Sequence, residues 1–354
     1  MPPAGTSGTI LLTAFCDKAG LATQIQLVAK PVAPVNEHMF AFLQKRKVAS
    51  DHPAFTALPV QRIALSNPRI SAAVHLDGRF ECGRTPIVCL AGYHRNMSDF
   101  TSFVQYFKRL GLDDWPVVLI DLPGRGRSDD RLRTEDYNSI NDAADVADIL
   151  SALGIGRAML LGQGHGGQVA MLLAASHPLL IAGTILLDSG PVADSRGIVR
   201  LRNNMAHIEG LRSAKAVKAG FRRMLAGDYP GSSEEALDGL ALRSHWFDKR
   251  GRARPLFDPR LLDPLKRFNF DDVLVAQWPL FDALKCAPLM MLRTQLTDQL
   301  RRETFEEMTR RRPEAVALII SGQGSPALFD QIEEVQAVAQ FVIDPERAQA
   351  DAAA

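Results

Sequence analysis

The sequence predicts an α/β fold: a mostly parallel, eight-stranded sheet flanked by helices, with a helical cap inserted after the sixth strand. Three observations carry that expectation. Short apolar runs alternate with amphipathic helical stretches from Val60 onward, the pattern of a parallel sheet covered on both faces. The alternation stops at Ser189-Gly190-Pro191 and resumes at Pro288, while residues 192–283 are helical in composition and rich in Arg and Lys. Finally, Gly162, Gly164 and Gly166 stand at alternate positions between the apolar run ending at Leu161 and the helix-forming run after Gln168. Small residues at that spacing let a strand turn sharply into a helix lying close upon it.

The elements follow in order. Residues 1–58 are punctuated by Pro2, Pro3, Pro31, Pro34 and Pro53 and read as an N-terminal extension. Arg62 to Leu65 and Ile70 to His75 flank the turn Ser66-Asn67-Pro68, an antiparallel hairpin. Pro86 to Leu90 and Pro116 to Ile120 are continuous apolar runs, as expected of strands buried on both faces. Between them Ser98 caps a helix with Phe100, Phe103, Val104 and Phe107 at helical spacing and Gly111 as its stop. Asn141 to Leu153 is an amphipathic helix, with Ala144, Ala147, Ile149, Leu150 and Leu153 on one side. After the glycine turn its helix ends near Pro178, and Ala182 to Leu187 is the next strand. Beyond the cap come strand Pro288 to Leu292, helix Glu303 to Arg312, strand Ala315 to Ile320 and helix Gln331 to Val342. The core is thus 59–191 with 284–345, and the Ala-rich residues 346–354 are expected to fray.

Composition excludes several classes. The chain has 354 residues and a net charge of +1, which argues against wholesale nucleic-acid binding. Cys16, Cys82, Cys89 and Cys286 are scattered with no CxxC pair, so neither a disulfide frame nor a metal site is expected. No Lys or Arg precedes the apolar stretch Thr9 to Phe15, unlike a secretory leader, and no apolar run reaches the ~18 residues that span a bilayer. A cytoplasmic protein without a membrane span is expected.

These motifs together resemble the α/β-hydrolase superfamily, in the branch carrying a helical cap, over residues 60–343. Gly162-x-Gly164-x-Gly166 is similar to its G-x-S-x-G turn, Ala91-Gly92-Tyr93 to the oxyanion turn, and Asp121 to Ser128 to the Gly-rich loop after the fourth strand. Leu187-Asp188-Ser189-Gly190-Pro191 is similar to the exit from the sixth strand, and Trp278-Pro279-Leu280-Phe281-Asp282 to the return from the cap. The resemblance implies a nucleophile at Gly164, an acid at Asp298 and a histidine at Ser325, so that two of the three positions are substituted. No histidine follows His245 that could replace the missing base. Losing a nucleophile or base of such a triad costs on the order of 10⁶-fold in turnover, so ordinary esterase activity is not expected.

The resemblance also implies that the backbone N–H groups of Tyr93 and His165 form the oxyanion hole. The side chains of His94 and His165 read either as hydrogen-bonded structural residues, the preferred reading, or as catalytic ones. Asp298 is either a leftover acid, a ligand anchor or a helix cap. Eight Lys or Arg against three acids between Asp194 and Asp228 suggest a solvated helix face, or an anionic ligand or acidic partner. Arg125 and Arg127 give the Gly-rich loop the look of a phosphate cradle, although a tight turn explains it as well. His94, Trp246, Trp278 and Phe281 are candidate pocket residues, the three aromatics reading more readily as core. Two functions remain open. One is a non-hydrolytic member that binds a small apolar or mixed molecule, or a protein partner, between cap and core. The other is an enzyme of hydrolase-like or cofactor-free chemistry using His94 or Asp298. No cofactor is expected in either.

Overall fold

A computed structural model describes residue 48 and residues 51–353, except 68, 212 and 251. The extension expected over residues 1–58 therefore lies, but for Val48 and its last eight residues, outside the described ones.

The apolar runs become the central sheet because they are apolar on both sides. Strands β1 (Gln61–Ala64) and β2 (Ser71–Asp77) form the antiparallel hairpin. Then β3 (Ile87–Leu90), β4 (Val117–Asp121) and β5 (Ala158–Gln163) are buried at every residue. With β6 (Ile181–Leu187), β9 (Leu289–Thr294) and β10 (Val316–Ile320) the sheet order is β1-β2-β4-β3-β5-β6-β9-β10. Every pair from β4 to β10 is parallel, and β2 runs antiparallel to both neighbours.

Alternate residues serve the two faces. Val88, Leu90, Leu160 and Val118 meet α2 (Ser139–Ala152) and α3 (His165–Ser176) through Val146, Ile149, Val169 and Leu173. Ile87, Cys89, Leu119 and Leu161 meet α1 (Thr101–Arg109) and α9 (Ile332–Ile343) through Phe103, Phe107, Val335 and Phe341. Two side-chain details differ from the expectation. The cap before α1 is Asn96, which accepts from the Ser98 N–H, and a 3₁₀ turn over Met97–Phe100 precedes the helix. On α2 the buried side includes Asp142 and Asp145, whereas Ala144 is exposed. Arg125 and Arg131 neutralise these carboxylates and so let the acids lie on the buried side.

Between β6 and β9 the chain adds nothing to the eight-stranded sheet. It forms α4 (Ser195–Gly210), α5 (Ala214–Leu225) and α6 (Glu234–Leu242), whose N-termini are capped by the side chains of Asp194, Ser213 and Ser233. A short hairpin, β7 (His245–Phe247) with β8 (Ala253–Pro255), was not anticipated, because three-residue strands leave no periodicity to read. α7 (Trp278–Asp282) leads back to the sheet, and α8 (Arg302–Arg311) connects β9 to β10. The Ala-rich tail, expected to fray, forms α10 (Pro345–Ala353), and Ala348 packs against the core.

Candidate functional site

β5 turns into α3 at one residue. Gly164 has φ 51° and ψ −111°, a conformation that costs an L side chain roughly 1–3 kcal/mol. Its N–H donates to the Leu187 carbonyl at 2.8 Å, and its carbonyl accepts from the Gly167 N–H at 3.1 Å. The flanking glycines are sterically required. A Cβ on Gly162 would enter the backbone of Gly166 and Gly167, and one on Gly166 would enter the Leu90 carbonyl. A Cβ on Gly164 meets only the end of a flexible side chain, Oε1 of Gln299, before reaching the Gly92 Cα at 4.0 Å.

Gly164, Asp298 and Ser325 line one cavity of about 300 Å³, open between the C-terminal ends of the strands and the inserted segment. They do not form a relay. Asp298 Oδ2 lies 2.5 Å from Nε of Arg200 on α4. The Ser325 hydroxyl lies instead beside Asp188, without hydrogen-bond geometry good enough to count as a bond. Asp188 directly follows β6 with φ 48° and is 1% exposed. Its two oxygens accept from the N–H and hydroxyl of Thr294, each at 2.7 Å. Burial lifts its carboxyl to about 6 despite those bonds and the nearby Ser325. The sequence showed Asp188 only as part of an exit motif. What it hid is the parallel pairing of β6 with β9, which sets this carboxyl against Thr294 and beside position 325.

Behind the turn sits a buried charge network. His165 Nε2 is 2.7 Å from Asp142 Oδ2, which Arg125 Nη2 approaches at 3.1 Å. Burial alone would raise the Asp142 carboxyl, but Arg125, His165 and Arg131 together hold it well below the usual carboxylate range. Arg125 also donates to the Tyr93 carbonyl at 2.8 Å and so fixes the turn after β3. Its guanidinium is 1% exposed and committed inside the protein, which removes the phosphate-cradle reading of this loop. Burial pushes the His165 imidazole down even though Asp142 opposes it.

The N–H groups of Tyr93 and His165 find no acceptor among the described residues, and both residues line the cavity. His94 lines it too, edge-on to Phe257 at 5.4 Å. Burial first, then Arg95, His245 and Arg125, push its imidazole well below the ordinary value, so it is neutral. The other three aromatics proposed for the pocket are elsewhere. Phe281 is core, Trp278 packs edge-on to it beneath the Arg311 guanidinium, and Trp246 packs against the α1–α9 side. The apolar wall comes instead from Ile198, Leu201, Met205, Phe221, Met224 and Leu240 on α4, α5 and α6. These are the apolar inward faces of amphipathic helices, two of which, α4 and α5, carry arginines on their other sides.

A glycine-hinged strand-to-helix turn facing a cavity at the carboxyl ends of a β1-β2-β4-β3-β5-β6-β9-β10 sheet defines the class. The family model for the alpha/beta hydrolase fold matches residues 85–277, and the chain belongs to that family. Among particular proteins, it is 34% identical to a 2-hydroxy-6-oxononadienedioate/2-hydroxy-6-oxononatrienedioate hydrolase of Burkholderia vietnamiensis over 100 residues, 28% of this chain and 31% of that one. The match thus spans about a third of that relative's length. It is 25% identical to a 2-(acetamidomethylene)succinate hydrolase of Mesorhizobium japonicum over 277 residues, 78% of this chain and 90% of that one. The crystal structure of an alpha/beta hydrolase from Novosphingobium aromaticivorans superposes with a TM-score of 0.70 at 26% identity, covering 81% of this chain and 98% of that one.

Proposed function

We propose that this chain is a non-hydrolytic member of the alpha/beta hydrolase fold family that binds a small apolar or mixed molecule between the core and a helical cap, residues 192–283. One observation carries the reading. The nucleophile position is Gly164, covered by the Gln299 carboxamide, and the histidine position, Ser325, offers no base near pH 7. The acid position, Asp298, is spent on Arg200. What remains of the machinery is a cavity, two free N–H groups and an apolar wall, which suit binding more than acyl transfer.

The relatives named above hydrolyse, by their names, dioate and succinate compounds. That chemistry is not carried over here, because a hydroxyl without an adjacent base is a poor nucleophile and here even the hydroxyl is missing. The test pairs nitrophenyl-ester hydrolysis with a serine-reactive fluorophosphonate label and a ligand screen by thermal shift. Trace turnover, no label and a stabilising small molecule support binding. Robust turnover that survives Gly164→Ala and collapses on His94→Ala would overturn it in favour of an enzyme with a non-standard site.

A further inference from the structure

The cavity wall carries six groups that are charged near pH 7, and their pairing is uneven. Arg95 is held by Asp99, with Nε to Oδ2 at 2.7 Å. Arg200 engages Asp228 through Nη1 and Nη2 at 3.0 and 2.9 Å and Asp298 through Nε. Asp194 is gripped by Arg301 at 2.6 and 2.9 Å and by Arg196 at 3.0 Å. His94 and His165, both pushed down by burial, add no charge. Among the described residues only Asp188 faces the cavity without a cation paired to it: its bonds are to Thr294. Arg293 is near enough to act on it but donates to the carbonyls of Leu300 and Gln295 instead.

Both arginines of the wall are therefore already neutralised, Arg200 by two carboxylates at once, and Asp188 is the one acid of the wall with no cation paired to it. A buried carboxylate in an apolar cavity favours a ligand that brings a positive donor and disfavours one that brings a second negative charge. Three further buried polar atoms of wall residues lack partners, the Gln163 Nε2 and the hydroxyls of Ser189 and Ser325.

We propose that the cavity selects an amphiphile bearing a cationic amine, which pairs with Asp188 while its apolar body lies under the inserted helices, and excludes carboxylates. The inference rests on the reading that this cavity binds a small molecule, and it names the class of that molecule.

The probes are 4-phenylbutylamine, 4-phenyl-1-butanol and 4-phenylbutyrate, near-isosteric in body and different in charge, titrated calorimetrically into the full chain at pH 7.5. The amine should bind about tenfold tighter than the alcohol, and the carboxylate weaker than both. Asp188→Asn should erase the amine's advantage over the alcohol. The wild-type order needs no variant, so a misfolded Asp188→Asn leaves the test intact. A carboxylate that equals or beats the amine overturns this inference while the binding reading stands. An amine advantage that persists in a folded Asp188→Asn overturns the assignment to that residue. If none of the three binds, the binding reading itself falls and takes this one with it.

Discussion

Arg200 Nε lies 2.5 Å from Asp298 Oδ2, and the same guanidinium grips both oxygens of Asp228. One side chain on α4 thus ties the loop after β9 to the turn between α5 and α6. The Asp298 carboxylate is thus a counter-ion that links the inserted segment to the strand ends. Arg301 repeats the arrangement from the other direction by clasping Asp194, the N-cap of α4.

Removing Arg200 should loosen that tie. Arg200→Met leaves Asp228 and Asp298 as facing like charges, and burial already raises the Asp228 carboxyl. The guanidinium is 43% exposed, so the loss is discounted to about 1–2 kcal/mol. Urea unfolding at pH 7 checks it; a midpoint identical to wild type would show that the tie contributes nothing.

Gly164→Ala and Gly166→Ala should part company. At Gly164 the new methyl displaces only the Gln299 carboxamide and adopts a strained backbone, costing roughly 1–3 kcal/mol. At Gly166 it enters the Leu90 carbonyl, which belongs to β3 and cannot move away. The second variant should fail to accumulate as folded protein while the first purifies normally; equal solubility and equal melting temperatures would contradict this.

Arg125→Met should be strongly destabilising. It strands Asp142 in the interior and frees the Tyr93 carbonyl, and breaking one side of a buried ion pair costs about 3–5 kcal/mol. Guanidinium unfolding reads the loss, and a change below about 1 kcal/mol would mean that Arg131 and His165 suffice to compensate.

Asp188 should make the protein less stable as pH rises. Its carboxyl titrates near 6 when folded and near the ordinary, lower carboxylate value when unfolded. Between those values the folded state holds the extra proton, so stability from this group is full below the unfolded value and is lost as pH climbs through 6. Asp188→Asn should therefore gain on the order of 2 kcal/mol relative to wild type between pH 4 and pH 7.5. Paired unfolding curves at the two pH values test the sign, and a flat difference would rule the assignment out.

Restoring esterase chemistry should need two changes and should recruit Asp188. Wild type, Gly164→Ser and Ser325→His are each expected to give trace nitrophenyl-ester turnover, because nucleophile and base act as a unit. The double variant is the only one expected to gain measurable rate. Since Asp188 lies beside position 325 and Asp298 is held by Arg200, adding Asp188→Asn should remove that gain, on the order of 10³–10⁴-fold. Adding Asp298→Asn should cost under about tenfold. The opposite ranking would put the acid role back on Asp298.

Most strands and helices were legible because each is a local pattern. Leu90, Ile120, Leu161 and Leu187 close apolar runs whose burial on both faces needs no knowledge of neighbours. The α10 helix and the β7–β8 hairpin were not, since Ala348 packs on a cluster distant in sequence and three-residue strands exist only as a pair. The buried Asp142 was illegible for a related reason: an acid counts as a surface residue until Arg125 and His165, from other parts of the chain, are beside it.

The site divides along the same line. Gly164 at the turn and the absence of any histidine beyond His245 follow from the sequence alone, because a missing side chain cannot be supplied by folding. The partners of Asp298, Asp188 and Arg200 were decided only in three dimensions. A carboxylate's role depends on which charge lies within a few ångströms of it, and that distance is set by the pairing of β6 with β9 and the placement of α4, not by the spacing of residues along the chain.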